Sequence, residues 1–190
     1  MANLTFGKKK RRVNYDLLRD IIVWTLQIAI VCFVAFVGVW YFGQHVSMVG
    51  DSMNPVLENG DVTLINRLVY NMSTPKRGDI IAFKPNGNEN SHYYIKRIIG
   101  LPGETIELRD GKILVDGKVI KEIYKTTEIE EAGIWDEPIT LESDEYFVLG
   151  DESQNSEDSR NADIGNVKRS EIEGEVWFVI SPRKNFGFVK

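Results

Sequence analysis

Apolar positions follow two different rules along this chain. From Ile21 to Gly43 they are continuous: IIVWTLQIAIVCFVAFVGVWYFG holds 23 residues, none charged, with Thr25 and Gln27 as its clearly polar members. At about 1.5 Å per residue, a helix of this length spans roughly 34 Å, enough to cross a ~30 Å hydrocarbon core. Trp24 near one end, and Trp40 with Tyr41 at the other, stand where amphipathic rings favour the membrane interface. The run is longer than the ~7–15 apolar residues of a cleavable signal. The residues after it (QHVSMVG) offer no clear small-x-small cleavage site. The pattern predicts an uncleaved transmembrane helix.

From residue 44 onward no stretch keeps a helical period for three turns. Short apolar runs are punctuated by Gly, Pro, Asn and Asp instead, which predicts strands. These are Val62–Ile65, Asp79–Phe83, Tyr93–Ile99, Thr105–Leu108, Ile113–Val115, Tyr146–Leu149 and Glu175–Ile180. Asp110-Gly111 and Asp116-Gly117 predict tight hairpins on either side of Ile113–Val115. One short helix is expected within 66–74 and a polar loop over 86–91. The fold class expected is mainly β, an antiparallel sheet domain over 44–190 preceded by one helix over 21–43. That domain is large enough for a single core.

Charge turns this pattern into a topology. The chain has 190 residues with 23 Lys plus Arg against 28 Asp plus Glu, a net of −5. Residues 1–20 carry +4, mostly from Lys8–Arg12, the anchor carries none, and the remainder carries −9. Cytoplasmic flanks of membrane spans are enriched in Lys and Arg. The tail over 1–20 is therefore expected in the cytoplasm and the domain over 44–190 outside. The acidic balance gives no support to nucleic-acid binding. One cysteine rules out an intramolecular disulfide, and with two histidines it argues against a zinc site.

Four polar segments carry candidate chemistry. They are Gly50-Asp51-Ser52-Met53-Asn54-Pro55, the Arg77-Gly78-Asp79 run entering a strand, Tyr94-Ile95-Lys96-Arg97 running on to Gly100-Leu101-Pro102-Gly103-Glu104, and Gly150-Asp151-Glu152 continuing to Ser156-Glu157-Asp158-Ser159-Arg160. A serine hydroxyl is a weak nucleophile until a neighbouring base takes its proton. His92 and His45 are the conventional candidates for that base, but neither sits in a triad pattern. Lys96 is the alternative, because its strand is strongly apolar and desolvation disfavours the ammonium. Read alone, Lys96 could equally be a solvent-facing strand residue, Ser52 a turn residue, and 156–160 a solvated loop.

In this order, behind an N-terminal anchor, the four segments resemble the bacterial type I signal peptidases. That family carries an S-M-x-P motif, an R-G-D strand, a K-R-x-x-G-x-P-G-[DE] motif and a G-D-N-x-x-x-S-x-D-S-R loop. The resemblance covers residues 47–160, with Gly174–Pro182 as a plausible closing strand. It implies that Ser52 is the nucleophile and Lys96 the general base. It further implies that Ser156 hydrogen-bonds and orients the lysine amine, that Asp158 and Arg160 pair to hold the loop, and that Asp151 and Arg97 form a second pair. Tyr94 and Ile95 correspond to the strand that pairs with substrate, while Met53 and Pro55 correspond to the turn that presents Ser52.

Two positions depart from the pattern. Some members place a serine two residues before the nucleophile, where its hydroxyl joins the oxyanion hole. Gly50 stands there instead, so the hole would rest on backbone N–H groups, chiefly that of Ser52. Glu152 replaces the usual asparagine. The activity implied is removal of signal peptides from exported preproteins, with the lipid bilayer and the secretion translocon as partners and without metal or organic cofactor. A specialised pilus or conjugation peptidase, or an inactive membrane-anchored assembly factor on the same fold, are the alternatives. A self-cleaving repressor would need a DNA-binding domain for which residues 1–20 are too short.

Overall fold

The computed structural model describes residues 14–88, 90–120, 137–152, 154 and 156–189. The basic cluster at 8–12 lies outside them. The chain forms two compact units, Met1–Val39 and Trp40–Lys190.

In the first unit the described residues are helical from Tyr15. Helix α1 runs Tyr15–Phe42 and ends just inside the second unit. It begins six residues before the uncharged run, where the Leu18 N–H donates to the Asn14 carbonyl. Backbone hydrogen bonding carries the helix through Asp16, Arg19 and Asp20, which hydropathy alone does not register. None of its residues is buried, and its large apolar side chains are exposed on every side. The helix is long and apolar enough to cross a membrane.

The second unit is mainly antiparallel sheet. Strands β1 (His45–Ser47), β2 (Val62–Asn66), β3 (Ile80–Phe83) and β4 (Tyr94–Gly100) are joined by β9 (Glu145–Leu149), β10 (Val167–Lys168) and β11 (Ile172–Ser181) in the order β1-β2-β11-β3-β4-β9-β10. Strand β12 (Gly187–Phe188) adds to β11. Every neighbouring pair in that order is antiparallel. Four steps separate β1 from β4, so these two strands run in the same direction.

A smaller sheet takes β7 (Lys118–Val119), β6 (Lys112–Val115), β5 (Thr105–Arg109) and β8 (Ile139–Thr140) in that order. The hairpins expected at Asp110-Gly111 and Asp116-Gly117 connect β5 to β6 and β6 to β7. All seven predicted strands are present, with ends moved by one to three residues. Strands β1, β7, β8, β10 and β12 are only two or three residues long, too short for a period of two to stand out. The helix expected within 66–74 shrinks to α2, Val69–Met72. The Asn66 carboxamide caps the chain by accepting the Leu68 and Val69 N–H groups, and the extended Ser73 with Pro75 beyond it ends the turn.

Both faces of the large sheet are covered. Met53 and Leu57 pack with Val46, Ile65, Ile95 and Val176, and a separate cluster gathers Tyr70, Ile81, Phe83, Ile98 and Val148. Strand β3 is accordingly buried at all four positions, as expected for a strand with apolar neighbours on either side. At about 25 cal/mol per Å² of apolar surface, this double cover supplies the main stabilisation of the frame that holds β4.

Candidate active site

Strand β4 places two basic residues next to each other, and a strand's side chains alternate between faces. Lys96 stands opposite Ile81 in the β3–β4 ladder and is 3% exposed. Its Nζ lies 2.6 Å from Ser52 Oγ, closing a gap of 44 residues in sequence. Arg97 turns the other way. Its Nε and Nη2 donate to the two Asp151 carboxylate oxygens at 2.7 and 2.6 Å, and its Nη1 donates to the Gly78 carbonyl.

Ser52 is carried by a turn that the chain folds locally. The Asn54 N–H donates to the Asp51 carbonyl, and both Val56 and Leu57 donate to Met53. Met53 is fully buried in the core beside Ile95, whereas Pro55 is exposed. Gly50, at φ +82°, lets the chain enter this turn in a left-handed conformation that side chains rarely adopt. Its N–H is held by the Asn59 Oδ1 at 3.2 Å. Among the described residues the Ser52 N–H makes no hydrogen bond.

The segments 150–152 and 156–160 bring two buried carboxylates, Asp151 and Asp158, near Lys96. Asp158 is wholly buried and forms a two-pronged pair with Arg160, whose Nε and Nη2 lie 2.8 and 2.9 Å from its oxygens. The same carboxylate accepts the Gly150 N–H, and the Glu152 N–H donates to the Ser52 carbonyl at 3.0 Å. Gly150 admits no side chain. A Cβ there would stand 2.3 Å from Ser156 Oγ and 2.4 Å from the Ser52 carbonyl oxygen.

Ser156 corrects one expectation. Its Oγ is buried and has no hydrogen-bond partner among the described residues, so the expected bond to the lysine amine is not among its contacts. The Lys96 amine is directed at Ser52 instead, and Ser156 is seated in the space that Gly150 leaves open.

Burial pushes the Lys96 ammonium down to about 8 from its usual 10.5. The anions Asp158, Glu157 and Asp151 pull it upward, and Arg160 adds to the fall. Desolvation outweighs these anions, two of which, Asp158 and Asp151, are paired with arginines. Glu157 accepts the Tyr94 hydroxyl at 3.2 Å. His92 is exposed and stacked on Tyr94 with ring centroids 4.6 Å apart, and His45 is exposed on β1. Neither histidine is bonded to Ser52.

One edge of β4 is free where the site needs it. Strand β3 pairs with β4 from Tyr94 to Arg97, while β9 takes the other side only from Arg97 onward. Among the described residues, Tyr94, Ile95 and Lys96 are therefore unpaired on that side, an edge that an extended chain could join. The arrangement thus combines a hydroxyl, an amine of lowered basicity, a backbone N–H with no hydrogen bond among the described residues and a strand edge. Sequence reasoning did not single out Asn59 or the Glu152 N–H. Asn59 carries no motif signal, and a backbone donor leaves none.

A hydroxyl beside an amine of lowered basicity is an arrangement that can support serine-hydrolase chemistry. A family model described as signal peptidase, peptidase S26, matches residues 21–181. The chain is 35% identical over 184 residues to signal peptidase I P of Bacillus subtilis subsp. natto, covering 93% of this chain and 95% of that one. It is 32% identical over 178 residues to signal peptidase I S of Bacillus subtilis (strain 168), covering 89% and 94%. A crystal structure of a signal peptidase I from Enterococcus faecalis V583 is 33% identical, with a TM-score of 0.42, covering 55% of this chain and 97% of that chain. The chain belongs to the signal peptidase family, peptidase S26.

Proposed function

We propose that this chain is a membrane-anchored endopeptidase that removes signal peptides from exported preproteins through a Ser52/Lys96 dyad. The observation that carries the reading is the 2.6 Å contact between Ser52 Oγ and a buried Lys96 Nζ. At pH near 8 a substantial fraction of that amine is neutral and can act as a base.

The preprotein's cleavage segment lies along the free Tyr94–Lys96 edge as an added strand, with small side chains at the first and third positions before the cut. Ser52 Oγ attacks the scissile carbonyl carbon while its proton passes to Lys96 Nζ. The carbonyl oxygen becomes an oxyanion held by the Ser52 N–H, which the turn at Gly50 aims at it. Lys96 then gives its proton to the departing amine, the peptide bond breaks, and an acyl-enzyme remains on Ser52. Lys96 next takes a proton from water, which attacks the ester carbonyl, and the resulting ammonium returns that proton to Ser52 Oγ as the ester bond breaks and the signal peptide leaves. The buried Ser156 hydroxyl offers the Lys96 amine a partner once Ser52 Oγ is acylated.

The pairs Arg97–Asp151 and Arg160–Asp158 act as positioning groups, holding β4 and the loop in one geometry. The apolar helix supports anchoring in the bilayer, and the basic tail supports a cytoplasmic N-terminus with the sheet domain outside. Confining enzyme and substrate to one membrane surface raises their effective concentration. The secretion translocon, which delivers preproteins there, is the expected neighbour.

Ser52→Ala and Lys96→Ala variants should each lose cleavage of a preprotein in detergent while keeping the native circular dichroism spectrum. Retained cleavage in either folded variant removes the dyad, and strong inhibition by a chelator would point to a metal instead.

A further inference from the structure

The free edge of β4 is bounded by contacts at both ends. One is Ser52–Lys96. The other joins Gln44, the residue before β1, to Tyr93, the residue before β4, with Gln44 Nε2 donating to the Tyr93 hydroxyl at 3.1 Å. Because β1 and β4 run in the same direction, these contacts lie at opposite ends of one slot. Val46 of β1 and Ile95 of β4 pack in the same cluster between them. From Tyr93 to Lys96 is three residues, about 10 Å of extended chain.

We infer that Gln44 and Tyr93 form a latch that sets the length of the substrate slot and hydrogen-bonds the substrate backbone at the fourth residue before the cut. The inference rests on the proposed reading of the Ser52/Lys96 site. With the scissile carbonyl at Ser52, the edge beyond Lys96 is taken by β9, so the acyl side of the substrate can extend only toward Tyr93. Three residues fill the slot, and the fourth meets the latch.

The latch is built to exchange partners. A phenol and a carboxamide can each donate and accept, so their mutual bond can be traded for bonds to a peptide N–H and C=O at little net cost. Both groups are held from behind. The Gln44 carbonyl accepts the Ile65 N–H at 3.0 Å, and the Lys84 ammonium sits 4.9 Å from the centroid of the Tyr93 ring. The Arg67–Glu173 ion pair lies alongside and acts on the same phenol. Polar groups thus gather at one end of a slot whose floor is apolar.

The test compares two peptide substrates of the full-length enzyme in detergent. One begins three residues before the cut with an acetylated N-terminus, and the other extends to six. The native enzyme should favour the longer peptide by about fivefold or more in kcat/KM, mostly through KM, as one or two backbone hydrogen bonds warrant. Tyr93→Phe and Gln44→Ala should each reduce that ratio to below about twofold, and N-methylation of the fourth residue should do the same in the native enzyme. A general packing defect would slow both peptides and leave the ratio alone. A ratio near one in the native enzyme, or a ratio kept in both variants, overturns the latch. Cleavage that survives Ser52→Ala counts instead against the catalytic reading, and the two failures are told apart.

Discussion

The Glu152 N–H donates to the carbonyl oxygen of Ser52 at 3.0 Å, so the nucleophile's turn and the 150–160 loop are one hydrogen-bonded unit. The residue before it, Asp151, binds Arg97, which neighbours Lys96 on β4. Ser52, Lys96 and the segment at Asp151–Glu152 are therefore mutually positioned by two short links, neither of which involves Ser52 Oγ or Lys96 Nζ. Buried ion pairs of this kind add little net stability but are costly to break singly. Their value here is geometric.

Gly150→Ala tests that unit. The added methyl would press on Ser156 Oγ and the Ser52 carbonyl, both under 3 Å away. Cleavage should fall by about 100-fold or more, as for ångström-scale misplacement of reacting groups. Stability measured by urea unfolding should fall by about 1–3 kcal/mol.

Activity should depend on pH through one group with a midpoint near 8. In the proposed mechanism neutral Lys96 is the base, so kcat/KM should rise as pH increases through that value and then level off. Glu157 favours the charged amine, so Glu157→Gln should move the midpoint to lower pH. A pH–rate profile of both proteins checks the direction.

Stability should also rise with pH through the same group, over a higher range. Lys96 binds its proton more weakly folded, at about 8, than unfolded, at 10.5. Its burial thus costs about 3 kcal/mol below pH 8, a penalty that fades as pH rises toward 10.5. After allowing for the lost bond to Ser52, Lys96→Met should be more stable than the native protein by about 1–3 kcal/mol at pH 7. Urea unfolding at pH 7 and pH 10 should show that advantage shrinking.

Asn59 should act through Gly50. Asn59→Ala releases the Gly50 N–H and loosens the approach to the oxyanion donor, lowering kcat by about three- to tenfold with little change in KM. Asn59→Asp, which keeps an acceptor, should retain most of the rate.

The two regimes of apolar patterning carried most of the fold. An uncharged run of 23 residues is legible because a bilayer demands it, and strands such as Ile80–Phe83 are legible because both faces are covered. The two- and three-residue strands were not, since they exist through pairing rather than local preference. Ser52 and Lys96 could be picked out because their motifs are dense in unusual residues, although no periodicity reveals that 44 residues of chain bring them within 2.6 Å. The Asn59 and Glu152 contacts were out of reach, one made by an ordinary turn residue and the other by a backbone amide. The Ser156 bond expected from resemblance is absent because that bond depends on local geometry, which spacing does not specify.

The most direct test of the account is to trap the acyl-enzyme. The full-length protein is incubated with a serine-directed acylating inhibitor and mapped by mass spectrometry. A single adduct should form on Ser52, faster as pH rises through about 8, and should be missing from a folded Lys96→Ala variant. An adduct on another residue, or Ser52 labelling that is indifferent to the loss of Lys96, would contradict the proposed dyad.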